Sequence, residues 1–327
     1  MTQRHKKIVI IGAGQIGSRH LQAMKSVSLP LEILIVDPST KSLQTAEERY
    51  LSMPKGKFEH ALKFQNSMPN NLIFDLAIIA TCSDIRAKVT AKLLNSNRID
   101  NLVLEKILFA NGSDYKTIGK LLNKSDATAW INCPMRMMPA YQAIEKYFKK
   151  EKISYIVTGS KFGLITNAIH YLDHASHLSG TTEFEINTDG LNSKPISSKR
   201  KGFLEFNGTL TAHFSNGSNV SLTCHPEGNA PIIVEIHGNK TKYIGRESEG
   251  KAWLARADNN WHWEELEAPI PFQSQLTTIL TEKILNTGKC DLVSYNESGK
   301  IHLNMLEPLR YFLNKNSKKK YKEYPFT

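Results

Sequence analysis

The stretch that decides the fold is Lys7-Ile8-Val9-Ile10-Ile11-Gly12-Ala13-Gly14-Gln15-Ile16-Gly17-Ser18-Arg19-His20. Four β-branched residues in a row, Ile8 to Ile11, predict a strand buried on both faces. A G-x-G-x-x-G follows, Gly12 to Gly17, and then a helix through Leu21 and Met24. Each glycine has a task in a loop that cradles a pyrophosphate. Gly12 permits the tight turn off the strand, Gly14 lets backbone approach the phosphates, and Gly17 lets helix pack closely on strand. The helix N-terminus adds free N–H groups and the positive end of a dipole. Glycines also serve ordinary turns, so the pattern alone says little. Its place between strand and helix says more, and Asp37 says more again. That carboxylate closes a second apolar run, Ile33-Leu34-Ile35-Val36, at the spacing of a residue that binds a ribose 2′-hydroxyl.

Working outward, a helix is expected from Ser39 to about Tyr50, capped by Ser39 or Thr40. The stretch Met53 to Asn71 reads as a short strand and loop. Phe74–Ala80, Leu102–Leu104 and Thr128–Ile131 read as further strands. Between them lie a helix carrying Ile85, Val89, Leu93 and Leu94 and another from Asp114 to Leu122. Strands alternating with helices at this spacing imply an α/β fold around a doubly wound, mostly parallel sheet. Ligands of such sheets bind beyond the carboxyl ends of the strands, where the glycine loop, Asp37, Thr81 to Ser83 and Glu105-Lys106 all fall. After Asn132 the pattern changes. A helix from Pro139 to Lys150, a strand from Ile153 to Thr158 and a helix around Ile169 to Leu178 precede two hairpins. One turns at Asn216-Gly217 and the other at Gly238-Asn239. Their alternating strands predict an antiparallel sheet with one covered face. Phe272–Thr287 and Glu297–Asn314 read as closing helices. Two domains are expected, 1–125 and 126–327.

A chain of 327 residues is long enough for both. Its 40% hydrophobic and 22% charged content is that of a soluble globular protein. No run approaches the roughly 18 apolar residues of a membrane helix. The opening MTQRHKK leads straight into a core strand, without room for a signal peptide. Cys82, Cys133, Cys224 and Cys290 lie far apart with no C-x-x-C, which fits a reducing cytoplasm rather than a disulfide framework. The net charge of +11 raises the question of nucleic acid. Part of it sits in the tail, at Lys315, Lys318, Lys319, Lys320 and Lys322, and reads as a solvated run. No nucleic-acid motif accompanies the rest, so neither nucleic acid nor membrane is expected as a partner.

A second dense signal runs from Asn167 to His177. Asp173 and His177 are four apart and share a helical face, with His170 on the same stripe. Histidine titrates near neutrality and suits general acid/base work, and a carboxylate beside it fixes the tautomer. Two readings compete. His170, His174 and His177 with Asp173 supply metal-ligand types, although no second acidic or cysteine cluster stands out and no metal is assigned. The histidines also suit an ordinary helix.

With these residues in hand, the chain resembles the Gfo/Idh/MocA family of oxidoreductases over nearly its whole length. The markers are Gly12 to His20; Ala80-Thr81-Cys82-Ser83-Asp84, similar to A-T-P-x-x; Glu105-Lys106-Ile107, similar to E-K-P; Arg136 and Pro139 within Asn132 to Tyr141; and Asp173-x-x-x-His177. Four departures stand out. Cys82 and Ile107 replace prolines, Ala175 stands where many members carry glycine, and the connection from Ile156 to His170 is short.

The resemblance implies an N-terminal Rossmann domain and a C-terminal α+β domain with a large open, mainly antiparallel sheet. It implies NAD(H) or NADP(H), held by Gly12, Gly14, Gln15, Ile16, Gly17, Asp37, Thr81, Cys82, Ser83, Glu105 and Lys106. Asp37 favours NAD, since a carboxylate repels a 2′-phosphate. The substrate it implies is a sugar, polyol or sugar derivative, oxidised at a secondary alcohol. Lys106, Asp173 and His177 would do the chemistry: His177 moves the proton, Asp173 orients it, and Lys106 holds the oxygen. Arg136, Tyr141, Asn167 and His170 are candidates for substrate recognition. A homo-oligomer, dimer or tetramer, through the open sheet is implied as well. The segments Cys133–Tyr141 and Asn167–Asp173 are similar to those of members in bacterial surface-sugar and nonulosonic-acid synthesis. The rival reading is a dinucleotide-binding regulator or scaffold of the same fold without turnover.

Overall fold

The computed structural model describes residues 4–149 and 151–327. Part of the opening MTQRHKK, and Lys150 at the expected end of the helix from Pro139, lie outside the described residues. The chain forms two compact units. The first runs to Asn132 and takes in Pro271–Tyr295, and the second comprises Cys133–Ile270 and Asn296–Thr327. This differs from a single cut after residue 125. Thr128–Ile131 pairs in parallel with Asn101–Leu104 and so belongs to the first sheet. The late return of the chain to the first unit leaves no mark in local composition.

In the first unit the strands are β1 (Lys6–Ile11), β2 (Leu31–Val36), β3 (Ala61–Gln65), β4 (Leu76–Ile79), β5 (Asn101–Leu104) and β6 (Thr128–Ile131). The helices are α1 (Gln15–Met24), α2 (Thr40–Leu51), α3 (Ser83–Ser96) and α4 (Gly112–Ser125). All six strands run parallel in the order 6-5-4-1-2-3, which is the doubly wound dinucleotide-binding order. Ile8, Val9 and Ile10 are fully buried, as a strand covered on both faces requires. Ser39 caps α2, its hydroxyl accepting the Ser42 N–H at 3.2 Å. The expected strand Phe74–Ala80 is broken. The buried Asp75 carboxylate accepts the Lys7 N–H at 2.8 Å, and Ile73–Phe74 pairs separately with Arg98–Ile99.

The second unit holds α5 (Pro139–Phe148), β7 (Ser154–Ser160), α6 (Leu164–Ser179), β8 (Phe184–Asn187), β9 (Gly208–Phe214), β10 (Asn219–His225), β11 (Ile233–His237), β12 (Thr241–Arg246), β13 (Lys251–Arg256) and β14 (Glu264–Glu267). They make an eight-stranded sheet in the order 8-9-10-7-11-12-13-14, antiparallel except where β10 meets β7. Both expected hairpins are present, β9–β10 and β11–β12. Leu210, Ala212, Val220, Leu222, Val234 and Ile236 bury one face, as the alternation required. Helix α6 begins five residues before the expected Ile169. Its cap comes from far along the chain: the Glu205 carboxylate accepts the Ile165 N–H at 2.6 Å and the Thr166 N–H at 3.1 Å.

The chain then returns to the first unit as α7 (Gln273–Thr287), which packs on α1, and as β15 (Val293–Ser294), antiparallel to β6. It ends with α8 (Tyr295–Asn316). Beyond the lysine run, Tyr324 and Phe326 are buried, and Pro325 O accepts the Leu204 N–H at 2.7 Å. The tail is thus solvated at its lysines and anchored past them. No helix among the described residues is long and apolar enough to cross a membrane.

Candidate functional site

In the first unit the glycine loop has the geometry of a phosphate cradle. Gly12 has φ of +95°, and a Cβ there would lie 3.0 Å from the Ala80 carbonyl carbon. A Cβ at Gly17 would stand 1.6 Å from the Gly12 oxygen, whereas one at Gly14 meets nothing within 4 Å. The loop is therefore closed against the sheet and open at Gly14. No acidic residue in the first turn of α1 competes with a phosphate for its N–H groups. Asp37 Oδ2 accepts the Ala13 N–H at 2.7 Å, and its Oδ1 accepts the Ser39 N–H at 2.8 Å. Each oxygen keeps a lone pair for a ribose hydroxyl. Gly12, Gly14, Asp37, Thr81 and Cys82 line one cavity of about 580 Å³, with Lys88 and Lys92 also on its wall. These residues fit a dinucleotide. Cys82 has φ of −70°, an angle proline itself holds, so its departure from the family pattern leaves the backbone as it was.

Not every expected contact faces that cavity. Gln15 is exposed but accepts from Arg49 Nη1 at 2.6 Å, and Ile16 is half-buried. Ser83 is buried, its carbonyl accepting the Ala110 N–H. Glu105 is buried too, bound to His20 Nε2 at 2.9 Å and to Asn132 Nδ2 at 2.5 Å, while His20 Nδ1 meets Thr277 Oγ1 at 2.8 Å. Burial alone would push the Glu105 carboxyl up. The His20 hydrogen bond and charge, the Asn132 amide and the Arg86 guanidinium outweigh it and hold the group at about 2. Glu105 is thus an internal anchor rather than a ligand contact. Beside it, the fully buried Arg86 donates to the carbonyls of Thr81, Ile107 and Leu108. Half-buried Lys106 lies between these fixed points, and the Lys106–Ile107 peptide is cis.

In the second unit α6 carries Asp173 and His177 on one face, but they do not pair with each other as the spacing suggested. Arg136 takes Asp173 in a bidentate grip, Nε to Oδ2 and Nη2 to Oδ1, both 2.8 Å. Its Nη2 also donates to Glu297 Oε1 at 2.8 Å. His177 Nε2 meets Glu145 Oε1 at 3.2 Å, and its Nδ1 lies 3.4 Å from Arg136 Nη1. A guanidinium only donates, so Nδ1 is the acceptor nitrogen and Nε2 carries the proton towards Glu145. Burial first, and then Arg136, push His177 below the ordinary histidine range, against the opposing pull of Glu145.

The other expected recognition residues divide. Tyr141 is buried and donates to Glu247 Oε1 at 2.7 Å, so it positions Glu247 rather than facing a ligand. Asn167 donates to the Phe162 and Gly163 carbonyls at 2.6 and 3.1 Å. Asn167, His170, Tyr171 and Glu247 line one cavity of about 180 Å³, floored by Pro134, Met135 and Met138. Burial raises the Glu247 carboxyl, against the Tyr141 hydrogen bond. His174 is fully buried against Tyr155, Nδ1 to the hydroxyl at 3.0 Å, and is part of the packing. No group of three metal-ligand residues converges among the described residues. Glu145, Glu247, Glu297 and Arg86 escaped sequence reading, since none stands at a telling distance from its partner. His20 was legible only as the residue after the loop.

Residues 6–133 match the family described as "Oxidoreductase family, NAD-binding Rossmann fold". No curated protein matches the chain in sequence. Among solved structures, an oxidoreductase from Agrobacterium radiobacter, crystallised with NAD+, L-tartaric acid and magnesium, is similar with a TM-score of 0.70 at 15% identity, over 92% of this chain and 94% of that one. UDP-N-acetylglucosamine 3-dehydrogenase from Acidithiobacillus ferrooxidans gives 0.68 at 11% identity, over 93% and 97%. A 3-ketoreductase from Actinomadura kijaniata, solved with NADP, gives 0.64 at 14% identity, over 91% and 95%. Likeness at such identities is likeness of fold. The glycine loop, Asp37 and the 6-5-4-1-2-3 sheet give the sequence match its physical content: residues 6–133 match the NAD-binding Rossmann fold of the Gfo/Idh/MocA oxidoreductase family.

Proposed function

We propose that the protein is an NAD-dependent dehydrogenase or reductase acting on a secondary alcohol or ketone of a sugar, polyol or sugar derivative. The observation that carries this reading is the setting of His177. It is a histidine kept neutral by burial and Arg136, with an accepting Nδ1 and a carboxylate at Nε2. That is the equipment of a general base. Nicotinamide, when bound, supplies the hydride acceptor. The residues of the chain handle the proton and the oxygen. The substrate hydroxyl displaces the 3.4 Å Arg136 Nη1 contact at His177 Nδ1, that nitrogen receives the hydroxyl proton, and Glu145 stabilises the resulting imidazolium from Nε2. Arg136, anchored by Asp173 and Glu297, fixes the tautomer. Lys106 holds the developing oxygen anion. Glu145 thus takes the orienting role that the spacing had given to Asp173, and Asp173 acts on His177 through Arg136.

A dehydrogenase of UDP-N-acetylglucosamine and a 3-ketoreductase share this fold, which supports a secondary alcohol or ketone as the reacting group and a sugar derivative as its carrier. The four free cysteines suit a reducing cytoplasm. A role in bacterial surface-sugar or nonulosonic-acid synthesis, and self-association through the open sheet face, complete the reading. Two measurements test it. Protein mixed with NAD+ and a panel of sugars, polyols and sugar derivatives should generate NADH with at least one of them, and Lys106→Ala should abolish that signal while still binding NAD+. Binding of NAD+ without turnover on any member would favour the regulator instead. Asp37→Ala should weaken NAD+ binding about tenfold and erode the preference over NADP+. Fluorescence titration with both cofactors reads this, and an unchanged ratio would remove Asp37 from the ribose.

A further inference from the structure

Beside the 180 Å³ cavity lies a larger one in the same unit, about 480 Å³, and the two share Asn167. The larger is lined by Lys161, Lys199 and Arg200, with Glu205 as the one carboxylate side chain among its lining residues. Glu205 is fully committed: its oxygens accept the N–H groups of Ile165, Thr166 and Phe206 at 2.6, 3.1 and 3.0 Å. Neither Lys161 nor Lys199 forms an ion pair among the described residues, and Arg200 Nη1 donates to the Thr327 hydroxyl at 3.2 Å. Lys161, Lys199 and Arg200 thus line a hollow whose one side-chain carboxylate is already spent, with Thr327, the last residue of the sequence, on the same wall. The hydroxyls of Ser197 and Ser198 lie on the same wall. The volume exceeds what a single sugar ring needs and falls in the range of ligand sites. A single carboxylate is matched by one arginine, whereas three cations match the higher charge and several oxygens of a phosphate or diphosphate.

We propose that this cavity is a substrate subsite for a phosphate-bearing extension, so that the sugar whose ring enters the Asn167–His170–Glu247 cavity carries a phosphate or diphosphate reaching Lys161, Lys199 and Arg200. The proposal rests on the dehydrogenase reading for its sugar and stands apart from it for its anion. The test is calorimetric binding to the full chain with NAD+ present, using inorganic pyrophosphate, UDP, glucose 1-phosphate and uridine as probes. Pyrophosphate should bind, uridine should not, and raised salt should weaken binding. The Lys161→Ser/Lys199→Ser/Arg200→Ser variant should bind about tenfold more weakly or worse, with an unchanged unfolding midpoint, and Arg200→Lys in place of Arg200→Ser should recover part of the loss. UDP tighter than glucose 1-phosphate points to a nucleoside diphosphate sugar, and the reverse to a sugar phosphate. Anions binding no better than uridine, or equally to the variant, would overturn the subsite. Oxidation of a neutral monosaccharide with kinetics untouched by the triple change would overturn it too, while sparing the dehydrogenase. Pyrophosphate binding as described, in a protein that oxidises no sugar, upholds the anion site and removes the reading it serves.

Discussion

His177→Ala is expected to lower kcat for alcohol oxidation by about 10²- to 10⁴-fold, with NAD+ affinity unchanged. The reason lies in where the proton goes. Without the imidazole, the hydroxyl must lose its proton to water while the hydride departs. The pH profile carries a sharper expectation. A base works only when unprotonated, so oxidation fails as pH falls through the His177 pKa. Burial and Arg136 place that pKa below the ordinary histidine value of 6.5, and the acid limb of kcat/KM should lie below 6.5 accordingly. Glu145 pulls the pKa up. Glu145→Gln should therefore move the limb further towards acid and lower kcat, because the imidazolium formed in the reaction loses its counter-charge. A limb that moves towards alkali in Glu145→Gln, or a His177→Ala enzyme of normal kcat, would remove the pair from the chemistry.

Linear sequence carries the cofactor cradle far better than it carries the proton site. The cofactor cradle is local: strand, loop, helix and Asp37 fall within the span Ile8 to Asp37, Gly12 and Gly17 stand where a Cβ would press on backbone, and Gly14 leaves the loop open. Hairpins were equally legible, because turn residues and alternation lie side by side in the chain. The proton site is different. Asp173 and His177 do share a face, but a shared face says nothing about what approaches it. Arg136, 37 residues away, takes Asp173, and Glu145 on α5 takes His177. Helix α6 itself starts where Glu205, 40 residues on, supplies a cap. Charged partners of this kind are chosen by tertiary geometry, and no periodicity announces them. The domain boundary fails for the same reason: Pro271–Tyr295 looks like any other helix and loop, yet it packs on α1 and extends the first sheet.

The second large effect is expected at Glu105, a positioning residue rather than a ligand contact. Its carboxyl sits at about 2 in the folded unit against 4.5 ordinarily. The folded state thus favours the charged form, and that preference is worth about 3 kcal/mol at neutral pH. Because the folded value is depressed, the contribution is fully present above about 4.5 and is lost as pH falls from there towards 2. Glu105→Gln should consequently destabilise the first unit by about 3 kcal/mol at pH 7 and remove that slice of acid sensitivity. Hydrogen exchange of the β5 and β6 amides reads the first unit alone, which a whole-chain melt would not. Equal protection in variant and wild type at pH 7, or an unchanged acid slope between about 4.5 and 2, would show that the His20–Glu105–Asn132 network contributes nothing. The effect should reach function through one step of chain. Lys106 follows Glu105 directly and precedes Ile107, whose carbonyl Arg86 holds. Loosening the anchor on one side of Lys106 lets its ammonium sample positions away from the substrate oxygen that the proposed mechanism assigns to it, so kcat should fall in Glu105→Gln even at temperatures where the unit remains folded.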